Sequence, residues 1–169
     1  MKLVPYENSY EAVVLRQMSE FFGYHHALVP KTSLESNLVT PDDDTIATLK
    51  KWQIQPNALY VIVEEDTHVG FIRICFRGEN VAWIEDIFVD ADHRGRGIAS
   101  SAITAAEENI KNTPGYTAVC LEVSLRNTNA FYLYHKLGYT DLSLITVRKE
   151  FSESKRDEAV KIFGLDFNY

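Results

Sequence analysis

Two β-branched runs, Val81 to Val89 and Thr117 to Val123, enclose a stretch in which Ile98, Ala102, Ile103, Ala106 and Ile110 recur at helical spacing until Pro114-Gly115 breaks the pattern. Residues three and four apart share one face of a helix, so Gly97 to Lys111 reads as a helix with an apolar stripe between two strands. A crossover helix joining two strands of one sheet makes them parallel, and this places the chain in the α/β class.

The flanking segments add antiparallel strands to that unit. Ala58 to Glu64 and Val69 to Arg77 are rich in Val, Ile, Tyr and Phe and flank Glu65-Asp66-Thr67-His68, so they read as a hairpin, with Val81 to Val89 as a third adjacent strand. Met1 to Pro5 is a short apolar opening strand. Asn8 or Ser9 is placed to cap a helix carrying Ala12, Val13, Leu15, Met18, Phe21 and Phe22, which Gly23 is expected to end. Tyr24 to Thr40 has no sustained periodicity and reads as loop or short helical turns, suited to bordering a substrate entrance. Thr40-Pro41-Asp42-Asp43-Asp44 has the logic of a helix start, with a cap, a proline in the first turn and carboxylates at the positive end of the dipole. After Thr117 to Val123 come a helix over Asn127 to Leu137 ended by Gly138, a strand over Leu142 to Phe151, and a short helix over Arg156 to Phe163. The expected architecture is a mixed, mostly antiparallel sheet flanked by helices. It forms one domain over residues 1–169, with 152–169 as a C-terminal extension.

Charge narrows the partners. Seventeen Lys and Arg against 24 Asp and Glu give −7, the wrong sign for life on nucleic acid or anionic lipid, and a cationic partner suits the chain better. No apolar run approaches the roughly 20 residues that span a bilayer, and Met1 to Tyr10 lacks the plan of a secretory signal, so a cytoplasmic location is expected. Cys75 and Cys120 lie far apart in apolar stretches and read as buried thiols rather than as a metal or redox pair. His25, His26, His93 and His135 show no metal-ligand spacing with another His or Cys, and no metal is expected.

The richest chemistry lies in Val89-Asp90-Ala91-Asp92-His93-Arg94-Gly95-Arg96-Gly97-Ile98-Ala99, a strand end, a glycine-containing turn and a helix start. Amide N–H groups at a helix start attract negative charge, and Gly95 and Gly97 let backbone approach a phosphate closely, with Arg94 and Arg96 beside them. The plain alternative is a turn whose glycines serve geometry alone. It is not a Walker loop, because no Gly-Lys-Ser/Thr follows, nor a dinucleotide fingerprint, because the third glycine is missing.

The segment Arg94-Gly95-Arg96-Gly97-Ile98-Ala99 resembles the coenzyme A loop of the GNAT superfamily of N-acetyltransferases, Arg/Gln-x-x-Gly-x-Gly/Ala. About 30 residues on, Asn127-Thr128-Asn129-Ala130 and Leu133-Tyr134-His135-Lys136-Leu137-Gly138-Tyr139 are similar to that family's second segment. The resemblance implies acetyl-CoA as cosubstrate, its pyrophosphate held by backbone from Arg94 through Gly95, Arg96, Gly97, Ile98 and Ala99 to Ser100. A side chain at Gly97 would then clash with the phosphates. It further implies that the backbone of Ile87, Phe88 and Val89 pairs with the acetyl carbonyl and pantetheine arm where two parallel strands splay apart. Asn127 would bind the pantetheine region, while an Asn at a helix start is also a plain N-cap, and both roles are compatible.

The resemblance makes Tyr134 the general acid for the departing thiolate. A phenol is protonated at neutral pH and can donate, although a tyrosine on an apolar helix face is more often core, and Tyr132 competes for the role. The acceptor arrives as an ammonium and must lose a proton. Glu85 and Glu122 are the candidate bases, because a carboxylate inside an apolar strand is costly without a partner or a purpose. Alternation would put Glu85 on the same face as Ile87. Taken together, these features predict an enzyme that moves acetyl to a primary amine of a small cationic molecule, with Glu35, Asp42, Asp43 and Glu79 as contributors to steering. The alternatives are an acetyltransferase for a protein N-terminal or lysine amine and a non-catalytic acyl-CoA-binding domain. A homodimer is compatible with the sequence, whereas nucleic acid and membrane partners are not expected.

Overall fold

The computed structural model describes residues 1–28, 43–149, 151 and 158–169. Five strands form one sheet in the order β1 (Lys2–Pro5), β2 (Asn57–Glu64), β3 (Thr67–Cys75), β4 (Val81–Val89) and β5 (Ala118–Leu121). The first three pairings are antiparallel and the β4–β5 pairing is parallel, as the crossover helix α3 (Ile98–Lys111) requires. The β2–β3 hairpin closes through Glu65 and Asp66, both with positive φ (47° and 62°), the turn whose twist matches that of two paired strands.

The sheet is covered on both faces. Leu59, Val61, Val63, Phe71 and Phe88 pack with Val14, Leu15, Met18 and Phe21 of α1 (Glu11–Leu28) and with Leu49 and Trp52 of α2 (Asp43–Trp52). By alternation, Ile62, Ile72, Ile74, Ala82 and Ile84 belong to the other face, and the buried stripe of α3 is Ile98, Ala102, Ile103, Ala106 and Ile110, the residues that the spacing selected.

By contact density the chain divides into two units, Met1–Gly23 with Asn37–Glu122, and Tyr24–Ser36 with Val123–Tyr169. The first carries the sheet. The second carries α4 (Thr128–Lys136) and the hairpin of β6 (Ala159–Ile162) and β7 (Leu165–Asn168), with Arg126 bound to the carboxylate of Glu158 and to the carbonyl of Tyr169.

Several sequence expectations are corrected. Gly23 does not end α1, which runs on to Leu28; a Cβ at Gly23 would meet nothing within 4 Å, and a glycine inside a helix costs only about 1 kcal/mol. A short single turn of 3₁₀ helix over Asn8–Tyr10 precedes α1. Residues 142–149 form no ladder, and Leu142, Leu144, Ile145 and Val147 are exposed. Where a helix over 156–163 was expected, the described part forms β6, and positive φ at Phe163 and Gly164 turns it into β7. The predicted start at Thr40, Pro41 and Asp42 lies outside the described residues, as does Glu35, but α2 begins at Asp43 with Asp43 and Asp44 in its first turn.

Candidate active site

The end of β4 is clamped before the chain enters the glycine turn. Asp90 donates its N–H to the Val69 carbonyl at 2.8 Å, and its carboxylate receives Arg16 at 3.1 Å and Gln17 at 3.0 Å, both from α1. A 3₁₀ turn over Ala91–His93 follows, in which His93 is half-buried and its Nδ1 has no hydrogen-bond partner. Arg94 then folds back, donating from Nε to the Val89 carbonyl at 2.8 Å, with its guanidinium 5.4 Å from the centre of the Phe88 ring.

Gly95 (φ 74°) and Gly97 (φ 80°) take the left-handed conformation, and Gly97 caps α3. The Arg94 and Ser101 amides donate to the carbonyls of Ala91 and Gly97, but among the described residues none of the amides from Gly95 to Ser100 donates to backbone. Six N–H groups at, or just before, the positive end of a 14-residue helix are thus without backbone acceptors, an arrangement that can serve as a cradle for an anion. Arg96 lies over Glu64 at 3.2 Å and keeps a basic group at its rim. A Cβ at either glycine meets no atom within 4 Å, so the space in front of the cradle is open.

Any side chain at residue 97 strains this left-handed backbone, at a cost of about 1–2 kcal/mol, and alanine, without the β-branch of valine, is the mildest probe. Gly97→Ala is expected to stay folded and to weaken coenzyme A binding at least tenfold by calorimetry; an unchanged Kd in the folded variant would show that the phosphates lie elsewhere.

The parallel pairing of β4 with β5 stops at Ile84 opposite Leu121, whereas β4 continues to Val89. Beyond that point one side of β4 has no strand beside it among the described residues. The Asp90–Val69 bond fixes the ladder phase: Phe88, opposite Phe71, turns its N–H and C=O toward β3, whereas Ile87 and Val89 turn theirs toward the vacated side. The Val89 carbonyl is taken by Arg94, and the amides of Ile87 and Val89 face a side on which no described strand pairs with them, where they can donate to an extended ligand. Of the three residues expected to offer backbone here, Phe88 does so only on the β3 side.

Sequence alternation fails at Glu85. The register steps from Ile74–Ile84 to Arg73–Asp86, so Glu85 is the extra residue of a bulge and has no partner opposite it. Glu85 and Asp86 both reach Arg73, at 3.9 and 2.5 Å, and therefore share its face, while Ile87 pairs with Ile72 on the other. Glu85 also contacts Arg77 Nε at 2.8 Å, and Glu122 lies 3.9 Å from Arg77 Nη2. Glu122 falls just past the end of β5 and its side chain is 82% exposed, against 23% for Glu85, so the burial argument that singled out both residues holds only for Glu85. Arg73, Arg77 and Asp86 were not singled out from the sequence, where their only signal is two arginines of matching parity, one in β3 and one just past its end, ahead of a paired Glu-Asp.

In the second unit, Asn127 caps α4 by accepting from the Ala130 N–H at 3.3 Å, and the Tyr24 hydroxyl donates to the same oxygen at 3.4 Å. The N-cap role is therefore realised, and the Asn127 amide nitrogen is the group left to meet a ligand. Tyr134 is half-buried beside Tyr139, with ring centres 6.1 Å apart, and burial pushes its phenol above the ordinary value of 10.0. That direction favours a proton donor. Tyr132 is 73% exposed and lacks this environment. His26 and His135 are exposed, and Cys75 and Cys120 are free thiols. Among the described residues no group of three or more His, Cys, Asp or Glu is placed to hold a metal ion, and no helix is long and apolar enough to cross a membrane.

Residues 24–139 match the model of the acetyltransferase (GNAT) family. Two uncharacterized N-acetyltransferases of Methanocaldococcus jannaschii are similar, one 40% identical over 65 residues (38% of this chain, 28% of the relative) and one 29% identical over 94 residues (56% and 60%). The chain thus spans 28% and 60% of the length of these curated relatives. Among solved structures, the YycN protein of Bacillus subtilis shares the fold with a TM-score of 0.67 at 20% identity, over 89% of this chain and 99% of that one. A tetramutant of a Bacillus halodurans protein reaches 0.73 at 19% identity, over 89% and 100%. An aminoglycoside acetyltransferase from an uncultured soil metagenomic sample reaches 0.63 at 17% identity, over 90% and 96%. With more than half of its residues matched by one family model, and with the glycine turn, the splayed strands and the capped α4 helix inside the matched span, this chain belongs to the GNAT acetyltransferase family.

Proposed function

We propose that the protein is an acetyl-CoA-dependent N-acetyltransferase whose acceptor is a primary amine on a small cationic molecule, with the whole chain serving as one catalytic domain. The observation that carries the reading is the conjunction, within one unit, of six amides from Gly95 to Ser100 without a backbone acceptor among the described residues and the edge of β4 beyond Ile84 that no described strand pairs. An anion and an extended chain attached to it fit those two features together.

Acetyl-CoA supplies the acetyl thioester. The cradle from Arg94 to Ser100 holds its pyrophosphate, and Asn127 contributes its amide to the pantetheine arm. The N–H of Ile87 or Val89 donates to the thioester oxygen and stabilises the negative charge that develops there during attack. Glu85 accepts the proton that the acceptor ammonium must lose before its nitrogen can attack the carbonyl carbon. Tyr134 returns a proton to the sulfur as the carbon–sulfur bond breaks.

For the acceptor, the support is the net charge of −7 together with basic residues drawn to the coenzyme turn, which leaves carboxylates elsewhere to steer a cation. Asp43 and Glu79 are exposed and suited to that role. The likeness of fold to an aminoglycoside acetyltransferase in complex with sisomicin is consistent with an amine-bearing small molecule. Thiol release from acetyl-CoA, measured across polyamines, amino sugars and N-terminal peptides at two ionic strengths, tests the reading. A polyamine or amino sugar is expected to be the best acceptor, with kcat/KM falling several-fold between low and physiological salt. Preference for peptides, or indifference of the best small amine to salt, would move the assignment to a protein acceptor.

A further inference from the structure

We propose that Arg77 is a positioning residue that fixes Glu85 for proton transfer and couples it to Glu122, an inference that rests on the reading of Glu85 as the proton acceptor. As the extra residue of the β4 bulge, Glu85 has no residue opposite it in β3, so the ladder does not set its side chain. The nearer guanidinium in sequence register, Arg73, is committed elsewhere. It meets Asp86 at 2.5 Å, donates to Asn57 Oδ1 at 2.8 Å and lies 4.8 Å from the centre of the Trp52 ring, with Glu85 left at 3.9 Å. Arg77 supplies the direct contact, Nε to Oε1 at 2.8 Å.

Arg77 is itself held. Its guanidinium carbon sits 4.1 Å from the centre of the Trp83 ring, and Trp83 lies two residues before Glu85 in the same strand, opposite Cys120 of β5. Ring, guanidinium and carboxylate thus form a short stack at the point where β4 and β5 part, with Glu85 Oε1 against Arg77 and Oε2 3.9 Å from Arg73. The planar guanidinium presents its N–H groups in a fixed fork, so Arg77 orients Glu85 by geometry. The same group lies 3.9 Å from Glu122, which makes the two candidate bases members of one cluster; the exposure of Glu122 lets water screen its share.

A double-mutant cycle on kcat tests this, with Glu85→Gln, Arg77→Gln and both, measured with acetyl-CoA and spermidine alongside thermal melting. Glu85→Gln is expected to lower kcat about 100-fold and Arg77→Gln about 10-fold, with KM for acetyl-CoA within about twofold and an unchanged Tm. The double variant is expected to be no slower than Glu85→Gln alone, and Arg77→Lys to fall between Arg77→Gln and the parent, because an ammonium keeps the charge but neither forks nor stacks as guanidinium does. If Arg77→Gln fails to fold, Arg77→Lys takes its place in the same cycle. Wild-type turnover by Glu85→Gln would overturn the reading of Glu85 and this inference with it. A slow Glu85→Gln beside a wild-type Arg77 variant, or effects that multiply in the double variant, would overturn the role of Arg77 alone.

Discussion

Tyr134→Phe is expected to lower kcat by about 100-fold or more while leaving the Kd for acetyl-CoA unchanged, because it removes one proton donor and no backbone contact. The size is that expected for loss of a general acid, and burial, which raises this phenol above the ordinary 10.0, keeps it protonated at neutral pH. The sign also fixes a pH signature. A group that must donate works while protonated, so the parent rate should hold through neutral and mildly alkaline pH and fall only above the ordinary phenol range, and Tyr134→Phe should lack that alkaline fall. Tyr132→Phe, exposed on the same helix, serves as the control and should turn over at the parent rate. A wild-type rate for Tyr134→Phe across this range would assign the acid elsewhere.

The largest effect on stability is expected at Gly70. A Cβ built there falls 2.1 Å from the carbonyl oxygen of Phe88 and 3.1 Å from Val89 Cα, and these are backbone atoms that cannot swing aside. Gly70→Ala must therefore push β3 and β4 apart at the place where β4 offers its Ile87 and Val89 amides, at a cost of about 3 kcal/mol, the upper part of the range for overpacking. Urea denaturation should show a lower midpoint at an unchanged slope, and the folded fraction should bind acetyl-CoA more weakly. An alanine variant of parental stability would mean that the two strands have room the geometry denies.

Much of the fold was legible because apolar periodicity reports burial directly. The stripe from Ile98 to Ile110 and the β-branched run from Val81 to Val89 each encode one element, and their succession encodes the parallel pair. Elements that depend on a partner were not legible. Residues 142–149 have the composition of a strand and form no ladder, because β-branched residues express a preference for a pleated surface without supplying the neighbour that completes it. The tail misled in the opposite direction. Val160 and Ile162 followed by Phe163-Gly164 encode a tight hairpin, but a period of two over four residues is easily read as part of a helix.

The same division runs through the site. The glycine turn could be found because left-handed backbone leaves a trace in residue type at Gly95 and Gly97. Gly70 carries the same residue type for a different reason, a carbonyl of the next strand, and that reason is invisible until the register is known. Nor does a single arginine two residues past a strand announce that it will lie on Trp83 and touch Glu85.

The bulge at Glu85 acts as a phase shifter in β4. Before it, even-numbered Ala82 and Ile84 face inward with Ile74; after it, odd-numbered Ile87 takes that side with Ile72, and even-numbered Phe88 moves to the side of Phe71. One additional residue thus lets two halves of one strand obey two burial codes, and the seam between them carries two consecutive carboxylates on a single face. Deleting Glu85 would not merely remove a carboxylate, since it would merge the two halves into one unbroken ladder and erase the seam, whereas Glu85→Gln keeps it. The deletion and the substitution therefore separate what the strand gains from its length at this point from what it gains from its charge.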